Sequence, residues 1–315
     1  MFKISRENLG EFYKTLAGKM PLFLPIRKAG EVNFGYYEEG AEVDIDTLKS
    51  VKSPKGVFFP QSENMMRFRT EGKKLEIEDV RSEREPFAVF GIRACDYKAF
   101  SVLDNVFLQE PVDTYYKEKR EAAIIFTLAC GKPQQSCFCS VFGIDASEPM
   151  GDVTCWLDEK ALYLRANTEK GEKALSLVSN LTEKCDEKRV EELKGEIKQK
   201  LEKLPYKDLD LSRFKPENLN ELFNLPVWNE LSEACLGCGT CTFVCPTCQC
   251  YDIKDFNTGH GVKRFRCWDS CMYSDFTMMS AGQPRLTQLE RFRQRFMHKL
   301  VYYPTNNDGL FSCVG

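Results

Sequence analysis

The sequence predicts a mixed α/β (α+β) protein in two parts, an α/β domain over residues 1–205 and a mostly helical, loop-rich domain over residues 206–315. Three observations carry that expectation. Two continuous apolar runs, Phe87–Ile92 and residues 122–128, flank an amphipathic segment. From Tyr206 to Pro226 the chain turns polar, with Pro216 and Pro226 in the stretch, as domain boundaries do. Beyond it, Cys235 to Cys250 is dense in cysteine.

Residues 5–17 read as an amphipathic helix, with Ser5 placed to N-cap it and Leu9, Phe12, Tyr13 and Leu16 on one face. Residues 21–26 and 33–38 read as short strands, and Phe58 to Glu63 as a loop. Phe87–Ile92 is apolar throughout, as a strand buried on both faces requires. Asp96 can cap the helix after it, whose inner face would carry Ala99, Phe100, Leu103, Val106 and Phe107. A second buried strand at 122–128 then makes a parallel βαβ unit with a right-handed crossover. Residues 153–166 alternate around Asp158-Glu159-Lys160 and read as a hairpin with Cys155 packed in it. Residues 168–183 read as helical. So do residues 186–204, with Val190, Leu193, Ile197, Leu201 and Leu204 on one stripe, Glu196 and Lys200 as an i,i+4 pair, and Pro205 as the stop. Cys185, among charges, has no partner in sequence. A short helix at 227–234, with Trp228 facing inward, leads into the cysteine run.

Composition narrows the function. A net charge of −3 argues against a general nucleic-acid or membrane-surface binder. The first residues lack the apolar core of a signal peptide, and no apolar run approaches membrane-spanning length, so a cytoplasmic protein is expected. Fifteen cysteines in such a chain then call for metal or redox chemistry rather than disulfides. Two histidines in the whole chain leave little for imidazole-based metal sites or general bases. There is no G-x-G-x-x-G after a strand, no Walker A, no Ser–His–Asp set and no HExxH.

The cysteine run supplies the chemistry. Cys235-x2-Cys238-x2-Cys241-x3-Cys245, followed by Pro246, lets three thiolates of one tight loop wrap three corners of a [4Fe–4S] cubane. The fourth cysteine leaves the loop and usually ligates a neighbouring cluster. Gly237 and Gly239 suit a backbone that hugs an inorganic core. A zinc site would instead pair two CxxC knuckles across a long spacer. Cys248, Cys250, Cys267 and Cys271 follow and could ligate, line the pocket or pack. The sequence ends at Ser312-Cys313-Val314-Gly315, in the opening of what reads as another cluster loop. The expectation is a ferredoxin-like [4Fe–4S] domain truncated at its C-terminus, with Cys271 as the alternative completing thiol.

A second set of thiols sits in the α/β part. Cys95 follows the first buried strand and Cys130 the second, with Cys137 and Cys139 on the next loop. Sites in parallel sheets form in the crevice beyond the carboxyl ends of the strands. Four thiols converging there can hold a sparsely spaced [4Fe–4S] site, giving two or three clusters in all. Near the C-terminus, Arg285, Arg291, Arg293, Arg295 and Lys299 face only Glu290, and that stretch reads as a solvated or subunit-docking helix rather than a nucleic-acid patch. Phe292 and Phe296 mark its packed face.

Phe59-Pro-Gln-Ser-Glu63, Gly91-Ile-Arg-Ala-Cys-Asp96, Cys137-Phe-Cys139, the Cys235–Cys250 run, Trp268-Asp-Ser-Cys271 and Arg291-Phe-Arg-Gln-Arg-Phe296 together resemble a known group. It is the dicluster [4Fe–4S] electron-transfer subunit found as the beta subunit of cytoplasmic sulfhydrogenases; the A subunit of anaerobic sulfite reductase is similar. The resemblance spans nearly the whole chain. It implies a relay between a flavin subunit handling NAD(P)H and a second redox subunit or ferredoxin, in hydrogenase, reductase or bifurcating complexes. It also implies that Cys235, Cys238 and Cys241 belong to one cluster, and Cys245 and Cys313 to the other. The rival function is catalysis, sulfur or disulfide reduction at an open iron of the Cys95/Cys130/Cys137/Cys139 site.

Overall fold

The computed structural model describes residues 1–48, 50–81 and 85–315. The chain divides into two compact units, one of Met1–Val57, Glu85–Ser212 and Cys313–Gly315, the other of Phe58–Arg84 and Arg213–Ser312.

The first unit is built on an eight-stranded mixed sheet. Its strands, numbered along the chain with β4 and β5 reserved for the other unit, are β1 (Phe2–Ser5), β2 (Leu22–Lys28), β3 (Glu31–Tyr36), β6 (Phe87–Ile92), β7 (Ala123–Leu128), β8 (Val153–Leu157), β9 (Ala161–Ala166) and β10 (Glu183–Lys184). They lie in the order β10-β1-β9-β8-β7-β6-β2-β3, with β2, β6, β7 and β8 mutually parallel and the flanking pairs antiparallel. Every residue of β6 and β7 is buried, and Phe87 stands beside Ala123 and Val89 beside Ile125, so the two apolar runs are indeed neighbouring parallel strands.

Helix α1 (Leu9–Ala17) buries the four expected side chains, after a 3-10 turn at Arg6–Asn8. The crossover uses two helices, α2 (Ala94–Phe107) and α3 (Thr114–Ala122). Helix α2 starts earlier than Asp96 implies: extended Arg93 occupies the cap, and Asp96 sits in the first turn, where its charge still suits the helix N-terminus. Val106 is exposed and Val102 takes the inward place. Helix α3, T-Y-Y-K-E-K-R-E-A, is too polar to announce itself by periodicity, but Asp113 caps it by accepting from Tyr116 N at 2.9 Å. Helix α4 (Glu169–Ser176) stops short of the 168–183 span because the chain turns at Ser179–Leu181 to pair β10 with β1. Helix α5 (Lys188–Leu201) buries the predicted stripe. The expected Glu196–Lys200 pair is not made. Glu196 binds Arg189 Nη1 at 3.0 Å, and Lys200 Nζ reaches the Gly131 carbonyl at 2.8 Å.

The second unit holds a four-stranded antiparallel sheet in the order β11-β12-β4-β5, formed by β4 (Ser62–Glu71), β5 (Lys74–Asp79), β11 (Tyr251–Asn257) and β12 (Val262–Trp268). Nothing in the sequence analysis anticipated this sheet. Its β4–β5 hairpin, from the early part of the chain, pairs with β12 and so belongs to this unit. The Phe59–Glu63 stretch is more than a turn, because it anchors β12. Arg266 Nε donates to Glu63 Oε2 at 2.9 Å with both side chains buried, and the Arg266 guanidinium lies 5.1 Å from the centre of the Phe59 ring. Trp268 donates from its indole to the Phe59 carbonyl at 3.1 Å. Short helices α6 (Leu219–Phe223), α7 (Val227–Glu233) and α8 (Thr240–Phe243) precede α9 (Gln288–Met297), which a Thr287/Glu290 capping box starts. Leu222, Trp228, Met297 and Val301 make the apolar core beneath α9, and Phe292 and Phe296 pack against it.

Candidate functional site

In the first unit, the parallel strands deliver two of the four expected thiols. Cys95 lies in the first turn of α2, just past β6, and Cys130 lies two residues past β7, its amide bonded to the Ala146 carbonyl at 2.9 Å. Cys139 opens a 3-10 turn at Cys139–Phe142, and Cys137 packs in the same apolar cluster. Burial pushes the Cys95 and Cys130 thiols up and takes Cys139 to about 11. The three feel one another's charge, and Cys137 is felt by Cys130 and Cys139. Arg93, beside Cys95 and Cys130, is fixed by bonds to the Ala129 carbonyl at 2.9 Å and the Ile45 carbonyl at 2.8 Å. The last residues close over this set: a Cβ on Gly315 would fall 2.4 Å from the Cys139 amide nitrogen, and Val314 packs in the same cluster. Cys155 is fully buried in β8, and Cys185 lies half-buried with its amide bonded to the Met1 carbonyl at 3.3 Å. The burial of Cys155 fits the packing role expected of it.

In the second unit the cysteine loop turns on two glycines with positive φ, Gly237 at 67° and Gly239 at 75°. A Cβ at Gly239 would meet Tyr273 Oη at 2.5 Å, the hydroxyl that donates to the Cys238 carbonyl at 3.1 Å. Cys238, the exposed thiol of the loop, is drawn down by its contact with the Thr240 hydroxyl at 3.4 Å. Cys235 Sγ accepts from Gln288 Nε2 at 3.3 Å. Burial pushes Cys241 up, while Arg295 opposes that and Cys271, Cys235 and Cys238 add to it. Cys241 therefore has three thiols for electrostatic neighbours, and Cys271 is the one among them from outside the loop.

The remaining cysteines form contacts of their own. A bond with the Cys248 thiol and the nearby Lys299 ammonium hold Cys245 well down despite burial, while Cys248 is pushed up. Likewise the Cys271 thiol holds Cys250 down, and Cys250 pushes Cys271 up. Cys267 lies within β12 opposite Asp252 and Ser62. Among the described residues, no three His, Cys, Asp or Glu side chains converge as one metal ion would need. A zinc tetrahedron with 2.3 Å bonds brings sulfurs to about 3.8 Å of one another. In a [4Fe–4S] cubane each thiolate binds a different iron, so the thiolates would stand further apart than on one zinc ion.

The polar residues at this site were read from the sequence as a solvated or subunit-docking helix, and Gln288 was not singled out. The basic stretch is not a solvated helix: Arg291 and Lys299 are buried, and the face carrying them turns inward. Arg291 Nη2 donates to Gln288 Oε1 at 3.0 Å and orients the amide that binds Cys235. Arg295 Nη2 donates to the Cys241 carbonyl at 3.1 Å, and Lys299 Nζ to Cys245 Sγ at 3.3 Å. The available signal was the spacing of 288, 291, 295 and 299, which share one helix face.

Comparison with known proteins fits this arrangement. Residues 234–315 match the 4Fe-4S dicluster domain family. The chain carries a 4Fe-4S dicluster domain. Over 315 residues the chain is 29% identical to sulfhydrogenase 2 subunit beta of Pyrococcus furiosus, covering 99% of this chain and 91% of that protein. No solved structure matches. These two likenesses support an iron–sulfur protein of electron transfer, and [4Fe–4S] clusters are its cofactor.

The residues of the dicluster domain suit such a group on their own chemistry. The Arg295 Nε is buried with no partner among the described residues, beside the Cys241 and Cys271 thiols. A cluster held by four thiolates is anionic and carries sulfide acceptors, which would satisfy that donor. The Gly237–Gly239 turn leaves the loop without side-chain bulk where backbone amides must approach sulfur. Among the described residues no helix is long and apolar enough to cross a membrane.

Proposed function

We propose that this chain relays single electrons between a flavin subunit handling NAD(P)H and another redox subunit or ferredoxin, within a cytoplasmic hydrogenase, sulfite-reductase or bifurcating complex. The observation that carries the proposal is a cysteine loop, inside a dicluster domain, set against the polar face of α9, where Gln288 binds Cys235 Sγ, Arg295 the Cys241 carbonyl and Lys299 Cys245 Sγ. A similar protein named as the beta subunit of a sulfhydrogenase supports a place in a multi-subunit complex. When bound, the clusters accept and release one electron at a time with no bond made or broken in a substrate.

The chain's own part is to hold and tune them. In this reading Cys235, Cys238 and Cys241 ligate one cluster of the ferredoxin-like 206–315 domain. Cys271 would complete it, and Cys245 and Cys313 would belong to the other, with Cys248 and Cys250 as further candidates. Cys95, Cys130, Cys137 and Cys139 would hold another in the α/β part. Arg93, Arg295 and Lys299 offset the charge of the thiolates. A sulfur-reducing catalyst is not favoured, since ligation by all four thiols of the Cys95 set would leave no iron open.

Anaerobic purification of the tagged native protein tests the proposal. A flavoprotein and a second redox subunit should copurify, and NAD(P)H should bleach the clusters of the complex. Recovery without any flavoprotein, or clusters that stay oxidised with NAD(P)H present, would contradict it.

A further inference from the structure

Gln288, Arg291, Arg295 and Lys299 follow one another at offsets of three, four and four, along α9 and into the π-type turn at His298–Tyr302. Their shared face meets the cysteine loop at Cys235 Sγ, the Cys241 carbonyl and Cys245 Sγ. Lys299 is set apart from the others. Its ammonium donates to Cys245 Sγ at 3.3 Å, to Thr247 Oγ1 at 2.7 Å and to the Ser312 carbonyl at 2.9 Å. An ammonium has three hydrogens, so all are committed to these contacts. The Thr247 hydroxyl donates to the same Ser312 carbonyl at 2.8 Å, and the Ser312 amide bonds back to the Lys299 carbonyl at 3.1 Å.

Lys299 is 6% exposed, and among the described residues no carboxylate pairs with it. A buried cation is costly unless an anion lies close. The anionic partners on offer here are cysteine sulfurs. Adding one electron to a thiolate-bound cluster adds one negative charge, and a fixed cation stabilises that state more than the oxidised one.

We propose that Lys299 is a positioning residue for the cluster of Cys245: it orients that sulfur, ties it to the backbone leading into Cys313, and makes that cluster easier to reduce. The inference rests on Cys245 being a cluster ligand. An anaerobic EPR-monitored redox titration of the full chain, with iron and sulfide counted in each sample, tests it on the wild type and on K299Q, K299R and C245S. K299Q should shift the reduction equilibrium of one cluster at least tenfold toward the oxidised form, 59 mV downward for a one-electron couple, while the others stay put. K299R keeps the charge and should recover more than half of that shift. If K299Q instead loses the iron of one cluster, retention of that iron by K299R supports the same role. An unmoved midpoint in fully loaded K299Q overturns the proposal, as does K299R behaving like K299Q. C245S separates the two levels. Full retention of clusters in C245S would refute the ligand assignment itself, whereas their loss in C245S with K299Q unaffected would refute only the role of Lys299.

Discussion

Gly239 shows how much a single position can decide in the cysteine loop. Its φ of 75° is a conformation that costs other residues about 1–2 kcal/mol. A Cβ there would also displace Tyr273 from the Cys238 carbonyl. Gly239→Ala is therefore expected to lower the melting temperature and reduce iron per chain together. Normal iron content in a stable Gly239→Ala protein would show that the turn is not under this constraint. The type of cofactor was legible at this scale, because a Cys-x2-Cys-x2-Cys-x3-Cys-Pro spacing suits a [4Fe–4S] cluster. The residues around the cysteines were not. Gln288, Arg291 and Lys299 look like ordinary polar surface until the helix face they share is known to point inward, and a charge count carries no sign of burial.

The lesson at the level of elements lies in the contrast between the two sheets. Strands β6 and β7 announced themselves because burial on both faces demands uninterrupted apolar sequence. Strands β5 and β11 are exposed along their whole length, so burial imposes no such run, and the antiparallel sheet passed unseen. Its pairing is also non-local, joining β4 to β12 across most of the chain. The Glu63–Arg266 pair is what makes that join specific. Glu63→Ala would remove the carboxylate that the buried Arg266 guanidinium binds, at a cost of about 3–5 kcal/mol. Chemical denaturation should show that loss, and a change under 1 kcal/mol would mean that water reaches Arg266 and the join depends on the aromatic contacts instead. Helix ends were the other weak point. Arg93 displaced Asp96 at the start of α2, and α4 ended early because β10 had a partner to reach.

Viewed whole, the chain is two compact units, each presenting its own group of thiols on rigid elements. The first places Cys95 and Cys130 by the ends of adjacent parallel strands; the second packs a glycine-turned loop against the polar face of a capped helix. The α/β character and the [4Fe–4S] cofactor could be read from the sequence. The sharing of residues between the units could not, since the β4–β5 hairpin belongs by pairing to a partner strand nearly two hundred positions away. An electron relay needs this rigidity more than it needs catalytic groups, because what it sets is the potential and surroundings of a cofactor.

The most direct test is the content of iron and acid-labile sulfide in the anaerobically purified chain, read with its visible spectrum. The account predicts brown protein with iron and sulfide in near-equal amounts and absorbance that bleaches on reduction. Colourless protein with stoichiometric zinc and no sulfide would contradict it.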